Sequence, residues 1–206
     1  QSDLAVMERA LVNLREHGID LYEMNAADDP MEDQAVSRSW NRRDALMADN
    51  IRWLAETLYP KRKLIVWAHN GHIMNAYYAP DWNALSHEPQ AGGMKPVGAF
   101  LSEWFGNQVY TVGFTAYSGQ YELITMPGVQ EIDPMPAESL EALLHDLGLK
   151  HAFLDFRSLP PDHWLRGEST VAIRGYVPER MHDWTRVVDA VFYIDHMTPP
   201  TPIRSE

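Results

Sequence analysis

The chain holds 206 residues, 45% of them hydrophobic and seven of them Trp, enough apolar material to bury one substantial core. A formal charge of −12, from 29 acidic against 17 basic side chains, repels a phosphate backbone and argues against nucleic acid as a partner. No apolar run approaches the roughly 20 residues of a membrane-spanning helix, and the absence of cysteine excludes disulfides, thiol nucleophiles and thiolate metal sites.

Gln1 opens onto a polar, acidic segment rather than a signal peptide, so the expectation is a cytoplasmic protein without a membrane partner. In chain order, Ser2 or Asp3 caps a helix from Asp3 to Gly18, with Leu4, Met7, Leu11 and Leu14 on one face and Gly18 as its stop. A second helical region spans Glu32 to Leu58, between Pro30 and Pro60, with an apolar stripe of Ala48, Ile51, Ala55 and Leu58 and a break expected near Ser39. Residues 64–68, Leu-Ile-Val-Trp-Ala, are continuous and partly β-branched, which predicts a strand covered on both faces. Residues 75–93 read as a long loop, where Tyr77, Tyr78 and Trp82 either wall a cleft for a bulky ligand or anchor the loop to the core.

Val97 to Phe105 predicts a helix closed by Gly106. Strands follow at Val109 to Phe114 and Tyr121 to Met126, separated by a turn at Ser118-Gly119. A helix from Ser139 to Leu147 stops at Gly148, and strands at His151 to Phe156 and Ala190 to Ile194 complete the pattern. The alternation predicts an α/β protein with a mixed, largely parallel sheet flanked by helices, in one domain over residues 1–206.

Chemistry concentrates at Ala68-His69-Asn70-Gly71-His72, where two imidazoles three residues apart follow the expected buried strand. The carboxyl end of such a strand is the favoured ligand crevice of an open α/β sheet. Either histidine can serve as a general base on water or donate to a developing oxyanion, and Asn70 can orient an imidazole or a substrate carbonyl. The bland alternative is a pair of polar turn residues capping the strand. Upstream, Trp40, Arg43, Met47, Asn50 and Leu54 recur at helical intervals, so Arg43 and Asn50 share a stripe with large apolar side chains. They either organise a pocket or tie the helix to the sheet. The His-x-x-His spacing differs from the helical His-Glu-x-x-His zinc motif, so the expectation is no metal and no other cofactor. Neither a Gly-x-Ser-x-Gly elbow nor a P-loop is present.

The series Arg43-Asp44-x-x-Met47-Ala48-x-Asn50-x-x-Trp53-Leu54, followed by Val66-Trp67-Ala68-His69-Asn70-Gly71-His72, resembles the erythromycin esterase family. Met94, Gly98, Leu101, Phe105-Gly106, Tyr110, Val112-Gly113-Phe114 and the closing run from Asp189 to Asp195 continue the likeness. The resemblance implies hydrolysis of a small-molecule ester or lactone in a cleft of an α/β fold, macrolide lactones and hence macrolide resistance included. It makes His69 and His72 the catalytic candidates, and Arg43, Asn50 and Asn70 the substrate-binding ones. The family's Gly-Glu-x-x-His-Gly motif, thought to supply the general base, has no match here, which makes the chain an expected C-terminal part of a longer protein. Two other readings stand beside this one: a non-catalytic small-molecule-binding protein of the same fold, and a metal-dependent hydrolase using the histidine pair.

Overall fold

In the computed structural model the described residues, 2–26, 33–79, 84–123 and 126–199, fall into two units, Gln1–Val109 and Tyr110–Glu206. Among them no helix is long and apolar enough to cross a membrane.

The first unit is mainly helical. Helix α1, Ser2–Ala26, runs straight through Gly18, where no neighbouring group lies close, so the expected stop becomes an exposed helical glycine. Helix α2, Asp33–Trp53, passes Ser39 without a break and ends in a π-helical turn, Leu54–Leu58, just before Pro60. The two helices meet through polar groups. Arg9 donates from Nε to Asn50 Oδ1 at 2.5 Å and from Nη2 to Asp49 Oδ2 at 2.5 Å, and the Ser39 hydroxyl donates to Asp20 at 2.9 Å. The apolar face of α1 turns away, leaving Leu4, Met7, Leu11 and Leu14 between 62% and 66% exposed.

The other face of α2 buries Ala48 against Val97 and Leu101 of α4, Val97–Phe105, while Met47, Ile51, Phe100, Trp104, Phe105 and Val109 close around them. Between α2 and α4 lie the single turn α3, Asn70–Ile73, and two short antiparallel strands, β1 (Tyr77–Tyr78) and β2 (Leu85–Ser86). Trp82 falls outside the described residues.

The strand expected at residues 64–68 does not form: the segment joins no sheet, and Ile65 and Trp67 are 93% and 82% exposed. A strand buried on both faces needs neighbours on both edges. The first unit's described strands are β1 and β2 alone, and they pair with each other.

The second unit holds a four-stranded sheet in the order β4-β3-β8-β5, built from β3 (Val112–Leu123), β4 (Met126–Ile132), β5 (His151–Asp155) and β8 (Ala190–Met197). Only β3 and β8 run parallel, and both outer pairings are antiparallel, so the sheet is mixed but not largely parallel. The cause lies in the connections. β3 and β4, consecutive in the chain, pair antiparallel, and β5 returns against β8 without a parallel crossover. The turn expected at Ser118-Gly119 is instead the interior of β3. Gly119 adopts φ +124° there, and a Cβ at this position would strike the Met197 backbone on β8, so both conformation and space require glycine.

A hairpin of β6 (Glu168–Arg174) and β7 (Val177–His182), absent from the sequence reading, turns at Gly175 and Tyr176, both at φ 63°. Positive φ at both central residues suits a two-residue hairpin, but Gly-Tyr lacks the usual Asn-Gly signature. Helix α5, Leu140–Asp146, is capped by Ser139, whose hydroxyl accepts from the Ala142 N–H at 3.1 Å.

Two buried acids pin this unit. Glu141 Oε1 accepts from the Thr115 hydroxyl at 2.6 Å and the Ala172 N–H at 2.9 Å, tying α5 to β3 and β6. Asp195 gathers His145 Nδ1 at 2.7 Å, Lys150 Nζ at 2.6 Å and the Tyr193 hydroxyl at 3.0 Å.

Candidate active site

The site is assembled within the first unit by the packing of α2 on α4. Asp44 lies one helical turn before Ala48 and shares its buried face, which carries a carboxylate into the α2–α4 seam at 1% exposure. There Asp44 Oδ2 accepts the Val97 N–H at 3.2 Å, filling one of the donors that the start of α4 leaves unsatisfied. The same oxygen meets His72 Nδ1 at 2.9 Å. Asp44 Oδ1 is buried without a hydrogen bond, with Arg43 Nε 3.9 Å away.

The chain reaches this point through a tight turn. His69 caps α3, its Nδ1 accepting the Gly71 N–H at 3.0 Å. The Tyr78 hydroxyl donates to the Gly71 carbonyl at 3.0 Å. A side chain at position 71 would collide with that hydroxyl and crowd the His69 ring. Gly98 meets the same turn from α4, where a Cβ would run into the carbonyl oxygens of Ile73 and Met74. Two glycines thus allow α3 to sit against Tyr78 on one side and α4 on the other.

His72 is held on three sides. Trp40 stacks on its ring at 4.8 Å and 18° between planes, Asp44 takes Nδ1, and Arg43 Nη2 approaches Nε2 at 3.4 Å. These partners select one tautomer. A carboxylate can only accept, so Nδ1 carries the proton; a guanidinium can only donate, so Nε2 presents its lone pair. The Arg43 contact is long, and its side chain is 51% exposed over the Trp40 ring. His69 lies beside His72. Burial of its ring first, and then that neighbour, lower its pKa below 6.5.

Of the five residues expected at the site, His72 and Arg43 come together directly, with His69 beside His72 and Asn70 opening the turn between the two histidines. Asn50 goes elsewhere: its Oδ1 accepts from Arg9, which joins α2 to α1. Tyr78 is a loop anchor, buried and bonded to Gly71, while Tyr77 donates to Glu103 at 2.9 Å. The sequence reading quoted Asp44 in the family series but set it apart from the Arg43 stripe, to pair elsewhere, although extending the stripe of Ala48, Ile51 and Ala55 back by one turn lands on it. A carboxylate on a buried helix face is itself a signal, because it requires a partner.

A mixed sheet together with helices defines an α/β protein, and within its first unit a buried carboxylate orients the His72 imidazole. The chain belongs to the erythromycin esterase family, whose profile matches residues 21–197. It is 34% identical over 173 residues to YbfO of Bacillus subtilis (strain 168), a hydrolase by name, covering 81% of this chain and 37% of that protein. It is 28% identical over 129 residues to erythromycin esterase type II of Escherichia coli, covering 58% of this chain and 29% of that protein. The solved structure of an erythromycin esterase mutant in its open conformation superposes with a TM-score of 0.53 at 14% identity, over 77% of this chain and 38% of that one. The chain therefore spans well under half the length of these relatives.

Proposed function

We propose that the polypeptide carrying these residues hydrolyses a carboxylic ester or lactone by direct attack of water, with His69 and His72 positioning the water and the tetrahedral intermediate. The observation that carries this reading is the buried Asp44–His72 bond, which leaves Nε2 of His72 as a fixed acceptor beside a half-exposed guanidinium. Water adds to the ester carbonyl and its proton passes to a base. The oxyanion draws the Arg43 guanidinium away from its long contact with His72, and collapse expels the alcohol, which regains a proton. In the family likeness the base is a histidine of a motif that this chain does not contain, so His72 serves to orient water rather than as sole base.

The test uses the full family-length protein with a panel of aryl esters and a macrocyclic lactone. His72→Ala and His69→Ala are each expected to lower kcat/KM by about 10² to 10³ while circular dichroism and melting stay close to those of the parent. Unchanged turnover in folded variants would make both histidines structural.

A further inference from the structure

Residues 64–68 have the composition of a strand covered on both faces, yet they join no sheet and expose Ile65 and Trp67 almost fully. Helix α1 shows the same inversion. It turns Arg9 and Asp20 toward α2 and leaves Leu4, Met7, Leu11 and Leu14 open, whereas a helix on a finished unit buries its apolar stripe. A β-branched, aromatic run left exposed is a segment that proteins ordinarily pair or cover.

The occupant can be argued from pattern and length. In a strand, Leu64 and Val66 point to one face and Ile65 and Trp67 to the other. Edge-to-edge pairing with a second copy would supply backbone partners but no layers for those two faces. The chain spans 37% of its Bacillus subtilis relative and 38% of the esterase structure, so such proteins carry more than half their residues outside the matched part. We propose that residues 64–68 are a strand of a sheet whose remaining strands and covering helices come from that other part of the family polypeptide, and that the apolar stripe of α1 docks on the same part. His69 follows residue 68 directly, so the register of this pairing sets where its ring stands. The inference rests on family membership and deepens the proposed site, without requiring that an ester be hydrolysed.

The experiment compares the 206-residue chain with a fusion in which the unmatched part of the Bacillus subtilis relative is joined to it, by hydrogen exchange and sedimentation. Amides of residues 64–68 are expected to exchange at least about 100-fold more slowly in the fusion than in the isolated chain. Ile65→Lys should leave the melting temperature of the isolated chain unchanged and lower that of the fusion. Free exchange in a folded fusion would overturn the proposal. So would protection in the isolated chain, whether it appears in a monomer or together with a dimer. If the fusion does not fold, the two parts are expressed together as separate polypeptides: co-purification that Ile65→Lys and Leu11→Lys abolish supports the pairing, and its absence counts against it. Every readout is structural, so a folded fusion without esterase activity bears on the proposed reaction alone.

Discussion

At the scale of single residues, the orientation of His72 depends on a carboxylate buried in the α2–α4 seam. Asp44 sets the His72 tautomer by accepting from Nδ1 at 2.9 Å and is anchored by the Val97 N–H. Asp44→Asn keeps the shape but offers an amide that can donate to Nδ1, so the opposite tautomer becomes accessible. Nitrogen NMR of His72 should show the proton moving toward Nε2, and kcat/KM in the family-length protein should fall by about 10² or more with KM little changed. An unaltered tautomer with unaltered turnover would remove Asp44 from the positioning role. His69 carries a pH prediction. Its folded pKa lies below 6.5, so the folded state binds its proton less readily than the unfolded chain. Its stabilising contribution is therefore complete above 6.5 and is lost as the pH falls through the lowered value. A proton NMR titration should place the His69 transition below that of a histidine in the denatured chain.

At the scale of elements, α3 and α4 approach each other at Gly98, and the close fit there is what holds the histidine turn against the Asp44 carboxylate. Gly98→Ala should push the two apart, costing about 1 to 3 kcal/mol and loosening the His72–Asp44 bond. Urea unfolding and the His72 NMR signals check both effects. In the second unit, the two buried acids have opposite pH signatures. The hydrogen bonds from His145 and Lys150 hold the Asp195 carboxyl well below 3.8, so the stability it contributes is present above 3.8 and is lost as the pH falls below it. Burial instead raises Glu141 above 4.5, so the folded state favours its acid form, and that contribution is present below 4.5 and lost as the pH rises through the raised value. Asp195→Asn should flatten the acid limb of stability against pH, and Glu141→Gln the limb above 4.5. Denaturation midpoints across the acid and neutral range separate the two.

At the scale of the whole molecule, the two units differ in how completely they close. The second buries Trp184, Tyr193, Phe156, Leu165 and Ile173 under 2% exposure, and its sheet, hairpin and helix satisfy one another. A fragment of residues 110–199 is accordingly expected to fold alone, with a cooperative melt and dispersed amide resonances. A molten fragment would show that this core needs the first unit. The first unit carries the histidine pair and leaves apolar side chains of α1 and of residues 64–68 exposed.

The sequence by itself determined the helices whose signals are local. Val97–Phe105 stands as read, and Ser139 and Gly148 bracket α5, because capping chemistry and left-handed glycine are properties of a few adjacent residues. The family was legible for a related reason, since each of its linked motifs, Arg43 to Leu54 and Val66 to His72 foremost, is a short run of neighbouring residues. Tertiary structure alone decided the rest. Sheet direction follows from which strands pair across long stretches of chain, and a five-residue apolar run becomes a strand only where neighbours exist to take its hydrogen bonds. Asp44 joined the site, and Asn50 left it for Arg9, for the same reason: a polar group on a helix takes whichever partner the packing of that face brings within hydrogen-bond reach, and helical periodicity fixes the face but not the partner.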